Sequence, residues 1–202
     1  MTEFAQSLAD GAVPEGAPRL LKTVTMVGMM GAGKTAVGKA LASRLGVPFL
    51  DSDAAIVEAA NMSIAEIFAR DGEAFFRAKE TQVIGRLLEG TPGVLSTGGG
   101  AFLSEENRDI IARKGVAVCL KAELDVLWNR VRHRDTRPLL KTPNPYGTLR
   151  ALFEARAPIY AMADLVVETD AHVAIDATVD RVIAALVTRP DVLVFEKTAT
   201  DG

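Results

Sequence analysis

Cysteine occurs once in the 202 residues, at Cys119, and histidine twice, at His133 and His172. A lone thiol excludes an internal disulfide, and these three side chains are too few for a Cys/His zinc centre. The same scarcity suits a reducing compartment. Long apolar runs are missing too: none approaches the ~20 residues that a membrane span requires. Met1 to Pro18 carries Glu3, Asp10 and Glu15 where a secretory leader needs a basic start and an apolar stretch. The expected location is therefore cytoplasmic, with no membrane partner. Nor is there an excess of either charge. With 23 Lys and Arg against 26 Asp and Glu, the net charge is −3, which argues against an extended basic face for nucleic acid. What remains is 49% hydrophobic and 24% charged, the composition of a globular chain. A chain of this length removes roughly 70% of its unfolded surface from water, enough for a proper core.

Residues 1–20, rich in Ala, Gly and Pro, read as a flexible extension, and 188–202, with Pro190 and a polar end, read as a flexible tail. The folded domain is then 21–187. No internal repeat or low-complexity tract divides it. Within it, apolar runs alternate with helical patterns. Lys22 to Val27, Val47 to Leu50, Gly93 to Thr97, Val116 to Leu120 and Asp164 to Glu168 read as strands. Helical spacing marks Ala36 to Leu45, Glu73 to Leu88, and segments beginning near Ser104, Glu123, Thr148 and Val173. Ser63 and Glu66 form a capping box for a helix through Arg70. Short strands separated by helices imply an α/β fold in three layers, a parallel five-stranded sheet with helices on both faces.

Gly28-Met-Met-Gly31-Ala-Gly33-Lys34-Thr35 fits the P-loop pattern and sits between a predicted strand and helix, as that motif requires. Backbone N–H groups of Gly31, Ala32, Gly33 and Ala36 would cradle phosphates at the positive end of the helix. Lys34 would hold the β- and γ-phosphates, and the Thr35 hydroxyl would ligate Mg2+. A P-loop alone leaves the reaction open among switches, motors and kinases. Asp51-Ser-Asp53 follows the second strand and Gly98-Gly-Gly100 the third, so parallel strands bring both to the P-loop edge. Read as an extended segment, Asp51-Ser-Asp53 offers two carboxylates, one taken to serve metal and one a second substrate. The plainer alternative for Asp51 is a turn or helix-cap residue. For Arg77, it is a solvated helix arginine paired with Glu73 or Glu80.

The P-loop, Asp51-Ser-Asp53, Phe76-Arg77-Ala-Lys-Glu80, Thr97-Gly-Gly-Gly100, Arg137-Pro-Leu-Leu140 and Arg156-Ala-Pro-Ile-Tyr160 together resemble the ordered motif set of shikimate kinases, from about Thr23 to Val187. The resemblance implies the nucleoside monophosphate kinase type of P-loop fold with strand order 2-3-1-4-5. It implies ATP and shikimate as substrates, Mg2+ as cofactor, phosphorylation of the shikimate 3-hydroxyl, and action as a monomer. Carried onto this chain, it makes Asp53 the general base, has Asp51 hold Mg2+ through water, and assigns the substrate carboxylate to Arg77 and Arg156. It places Gly99 and Gly100 against the substrate or γ-phosphate, Arg137 on the phosphates and Arg130 against adenine.

The basic stretch from Arg130 to Tyr146 reads as a lid, about 131–146, with Pro138, Pro143, Pro145 and Gly147 interrupting any helix. A nucleoside monophosphate or gluconate acceptor would keep the enzyme class. The nucleotide version lacks a base-recognising segment such as Asp-Gly-Phe-Pro-Arg. A GTP switch would need Asn-Lys-x-Asp, which is also missing.

Overall fold

The computed structural model describes residues 17–133 and 138–196. Seven strands and seven α-helices follow one another in these segments. Strand β1 is Ala17–Leu20 and β2 Thr23–Val27; helix α1 is Lys34–Leu45. Strand β3, Phe49–Asp51, runs directly into helix α2, Ser52–Ala60. Helix α3, Ile64–Glu89, leads to strand β4, Val94–Ser96. Helix α4, Glu105–Lys114, precedes strand β5, Gly115–Lys121, and helix α5, Leu124–Val131. Helix α6, Pro145–Tyr160, strand β6, Leu165–Glu168, helix α7, Ile175–Val187, and strand β7, Leu193–Glu196, complete the order.

The main sheet runs β3-β4-β2-β5-β6, every neighbouring pair parallel. Numbering only these five strands along the chain, that order is 2-3-1-4-5. Every residue of β2 and β4 is buried, as expected for strands covered on both faces. Met26, Leu41, Leu95, Leu120, Leu127 and Leu186 are among the large side chains sealed in the core between sheet and helices. A smaller cluster of Ile56, Ile67, Phe76 and Val83 fastens α2 to α3. Among the described residues, no helix is long and apolar enough to cross a membrane.

The expected capping box is present: Ser63 Oγ accepts from Glu66 N–H, and Glu66 accepts from Ser63 N–H. The expected break between a helix ending at Arg70 and one starting at Glu73 falls at Gly72, whose φ of 83° is non-helical within α3. Three expectations need correction. Ser52 to Ala60, given no element from sequence, is α2. Pro145 and Gly147 do not interrupt a helix; Pro145 opens α6 in the first turn, where its missing N–H costs nothing, and the Asn144 side chain accepts from Gly147 N–H. The flexible extension and tail are ordered where described. There β1 pairs antiparallel with β7, Ala17 opposite Glu196 and Leu20 opposite Leu193.

Burial drives that two-stranded ribbon. Val192 and Leu193 are 0% and 2% exposed and join the main core together with Leu20. Ion pairs Arg19–Glu196 and Lys22–Asp191, at 2.7 and 2.8 Å, lie in solvent and add little. Leu193→Ala is expected to lower unfolding free energy by about 2–5 kcal/mol, the range for truncating a sealed leucine. Urea denaturation checks it; a loss under about 0.5 kcal/mol would show that the tail does not belong to the cooperative unit.

Candidate functional site

Parallel pairing sets Asp51 beside Ser96 and Ser96 beside Met26, so β3, β4 and β2 end level at one edge. Beyond that edge opens a cavity of about 840 Å³. The loop after β2 forms one wall. Gly28, Gly31 and Gly33 all have positive φ there, 131°, 84° and 100°, which lets the backbone curl tightly. Gly28 has a second constraint, since a Cβ would lie 2.7 Å from the Leu120 carbonyl oxygen. Helix α1 begins at Lys34, directing its N-terminal N–H groups at the cavity. The Lys34 ammonium donates to the carbonyls of Gly28 and Met29 at 2.8 and 3.1 Å. Met29 and Met30 are buried in the core beneath the loop.

The opposite wall comes from α2, α3 and the glycine loop after β4. Asp51 ends β3 and caps α2, its Oδ1 accepting from the N–H groups of Asp53 and Ala54 at 3.0 and 3.1 Å. This corrects the reading of Asp51-Ser-Asp53 as one extended segment. Asp53 lies in the first turn of a helix, and the cap bond from its own N–H fixes where that turn starts. Asp51 is thus a cap, the plainer alternative, and it also lines the cavity. Arg77 likewise shows the pairing expected of a helix arginine. Its guanidinium reaches Glu73 at 3.3 Å and Glu80 at 2.7 Å, yet it too faces the cavity.

Glu80, 1% exposed, stands behind Arg77. Burial raises its pKa, with the Arg77 guanidinium pulling the other way. Arg77 loses solvent, which acts against its charge, but Glu80 and Glu73 more than restore it and its pKa rises. The loop closes tightly on these groups. A Cβ on Gly98 would come within 2.8 Å of Asp53 Oδ1, and one on Gly100 within 2.7 Å of Arg77 Nη2. Asp53, Glu80, Arg77 and the glycine backbone therefore form one packed layer.

Gly31, Ala32, Gly33, Lys34, Thr35, Ala36, Asp51, Asp53, Arg77, Gly99, Gly100, Arg130 and Arg156 all line the same cavity. Arg130 spans from the P-loop carbonyl of Gly31, at 3.3 Å, to that of Asp170, at 2.7 Å. Arg137 lies outside the described residues. Further along the chain, Leu140 is buried, and Tyr146 packs edge-on against Trp128 at 5.4 Å while donating to Asp125.

Sequence reasoning missed several lining residues. Ser96 ends β4 and Thr97 follows it; Thr35 and Ser96 hydroxyls are 3.4 Å apart, and Thr97 Oγ1 donates to the Met26 carbonyl. Thr169, Val173, Ile175 and Thr178 line the cavity as well. Their signal was positional: they follow the last sheet strand, at the edge where the other loops converge. For a divalent ion, the side chains near the P-loop mouth offer hydroxyl and carboxylate oxygens, Thr35, Ser96 and Asp51. Among the described residues no group of three His, Cys, Asp or Glu could hold a metal. That donor set suits Mg2+, which keeps waters and takes one or two protein oxygens plus phosphate. Gly28→Ala is expected to destabilise the fold by at least about 2 kcal/mol, through positive-φ strain and collision with backbone. Thermal and urea unfolding check this, and an unchanged midpoint would reject it.

Comparison with known proteins gives the family. The family model described as shikimate kinase matches residues 30–187. A shikimate kinase of Ruegeria pomeroyi is 71% identical over 178 residues, covering 88% of this chain and 91% of that protein. One from Cereibacter sphaeroides is 67% identical over 175 residues, 87% of each. The solved shikimate kinase from Acinetobacter baumannii in complex with shikimate is 37% identical; it matches with a TM-score of 0.75 over 83% of this chain and 93% of its own. A P-loop and a carboxylate-and-arginine wall facing each other across one cavity thus occur in a chain that belongs to the shikimate kinase family.

Proposed function

We propose that this chain transfers the γ-phosphoryl group of ATP to the 3-hydroxyl of shikimate, giving shikimate 3-phosphate and ADP on the route through chorismate to aromatic amino acids. The observation that carries this reading is the shared cavity, with Lys34 on one wall and Asp53, Arg77 and Arg156 on the other. We place the reaction in the cytoplasm, with the chain acting as a monomer.

The P-loop receives the polyphosphate. Lys34 exchanges the carbonyls of Gly28 and Met29 for β- and γ-phosphate oxygens, so the ammonium moves from one set of acceptors to another without ever facing an apolar wall. The Thr35 hydroxyl and, through water, Asp51 would hold Mg2+, which would neutralise charge on those oxygens. Arg130, with Thr169 and Val173 beside it, borders the space for the adenine. Arg137 is assigned to the phosphates by family resemblance alone.

Shikimate enters on the opposite wall. Its carboxylate pairs with Arg77 and Arg156, whose planar guanidinium groups each offer two parallel donors. That anchoring leaves the ring hydroxyls toward Asp53. The 3-hydroxyl oxygen attacks the γ-phosphorus, the bond to the bridging oxygen of ADP breaks, and the hydroxyl proton passes to the Asp53 carboxylate. Most of the rate enhancement comes from holding the two substrates in line and from cations around the transferred group. Gly99 and Gly100 present backbone without side-chain obstruction.

A coupled ADP-release assay offering shikimate, gluconate and nucleoside monophosphates in parallel tests the acceptor. Turnover of shikimate alone is expected, and preference for either other acceptor would overturn the reading. Asp53→Asn should bind ATP normally but lose at least ~100-fold in turnover, the lower range for a general base; wild-type turnover would reject that role. Arg156→Ala should weaken shikimate binding by about 2–5 kcal/mol while keeping ATP affinity, as expected for a truncated charge pair. Equal loss of both affinities in calorimetric titrations would show Arg156 to be misassigned.

A further inference from the structure

Tyr160 closes α6 four residues after Arg156, so the two side chains stand on one face of the helix, a turn apart. Arg156 lines the cavity and Tyr160 does not; the phenol lies behind the wall, 3% exposed. Its ring stacks on Phe102 with centroids 6.4 Å apart and planes 12° from parallel. A ring so placed fills core volume, and a phenylalanine would do that equally well. The hydroxyl needs a separate reason.

It has two partners. It donates to the carbonyl oxygen of Gly99, and the Arg156 guanidinium is close enough to oppose the rise of its pKa. A phenol oxygen can donate once while accepting, so the bond to Gly99 leaves its lone pairs available to that cation. Burial pushes the Tyr160 pKa up to about 12, with Arg156 opposing that rise, so the hydroxyl keeps its proton and stays a donor through the working range of pH.

The bond to Gly99 has a directional consequence. All described peptides are trans, so the carbonyl of Gly99 and the N–H of Gly100, in one planar unit, point opposite ways. Holding that carbonyl toward Tyr160 turns the Gly100 N–H away from it. The other carbonyls of the loop are also occupied: Gly98 accepts from Ala101 N–H and Gly100 from Leu103 N–H, each at 3.1 Å. Among the described backbone bonds, none uses the N–H of Gly99 or Gly100 as donor. Gly100 itself abuts the Arg77 guanidinium, at the 2.7 Å approach already noted for a Cβ there. Gly99, Gly100, Arg77 and Arg156 all line the cavity, so this peptide and both guanidinium groups border one space.

We propose that the Tyr160 hydroxyl is a positioning group for the acceptor's carboxylate, holding the Gly99–Gly100 peptide and the Arg156 guanidinium in the arrangement that receives one anion. This rests on the reading of Arg156 as a carboxylate anchor. Tyr160 touches no substrate; it acts through the two groups that do.

Tyr160→Phe keeps the ring, the stack and the volume, and removes only the hydroxyl. In the full chain it is expected to raise the KM for shikimate about tenfold, in the range for a bond to a charged group, with the KM for ATP within about twofold of wild type. Phe102→Leu, which disturbs the stack and leaves the hydroxyl, is the control for packing. It should lower the thermal midpoint without separating the two KM values. If Phe102→Leu separates them as far as Tyr160→Phe does, or if Tyr160→Phe leaves the shikimate KM unchanged, the role is overturned. The double variant Tyr160→Phe/Arg156→Ala should lose less shikimate affinity than the product of the single losses, because the hydroxyl works partly through the guanidinium; a full product would also overturn it. Arg156→Ala with unaltered shikimate affinity would reject the anchor reading itself. An impaired Arg156→Ala beside an unaffected Tyr160→Phe removes the role of Tyr160 alone.

Discussion

Level parallel pairing across β3, β4 and β2 is the constraint on which the site depends. Asp51 sits opposite Ser96, and Ser96 opposite Met26, so the chain leaves three neighbouring strands at the same height. Each departure then has to satisfy its own backbone, and each does so differently. After β2 the chain curls through glycines into α1. After β3 it enters α2 at once, with Asp51 as cap. After β4 it makes a glycine turn braced by Asn107, whose amide donates to the Ala101 carbonyl at 2.8 Å. A slip of one residue in either pairing would turn the strand faces over and carry Asp53 or the glycine loop away from the phosphate cradle.

Several cations of the cavity already have partners before any substrate arrives. Lys34 rests on two carbonyls, Arg130 on three others, and Arg77 on Glu73 and Glu80. Such temporary partners hold long side chains near their final places and limit the ordering cost at binding. Glu80 differs from the rest because it is sealed from water. Removing it would leave a partly buried guanidinium without its nearest countercharge, the costly half of breaking such a pair.

Much of this was legible in the sequence, for reasons that particular residues illustrate. The P-loop and Ser63-Ile-Ala-Glu66 each encode local geometry in a few adjacent residues, so strand, loop, helix and capping box could be read directly. Asp53, Arg77 and Arg156 were found through ordered motifs, since nothing local distinguishes a cavity arginine from a solvated one. Helix α2 was missed because Ser52 to Ala60 is short and shows no clear apolar period; its start is set by the Asp51 cap, and its packing by Ile56 against the distant Ile67 and Phe76. Tyr160 was quoted as part of a motif without a role, because its partner Gly99 lies 61 positions away. The ribbon had a visible half: Val192-Leu-Val-Phe195 is a strand-like run. Pro190 before it and the polar residues after it drew attention to disorder, and its partner, Ala17 to Leu20, contains Pro18 and only one buried side chain.

That ribbon also brings the two ends of the described fold together. Ala17 faces Glu196 across an antiparallel pair, so their backbones lie about 5 Å apart. The pairing sits at the amino edge of the sheet, because β1 stops just before β2 begins, and the cavity opens at the carboxyl edge. A linker of a few residues from Glu196 to Ala17 would therefore close the described fold into a ring without strain. New ends could be opened in an exposed connection such as the one after α3, giving a circularly permuted chain whose phosphate cradle and arginine wall are untouched.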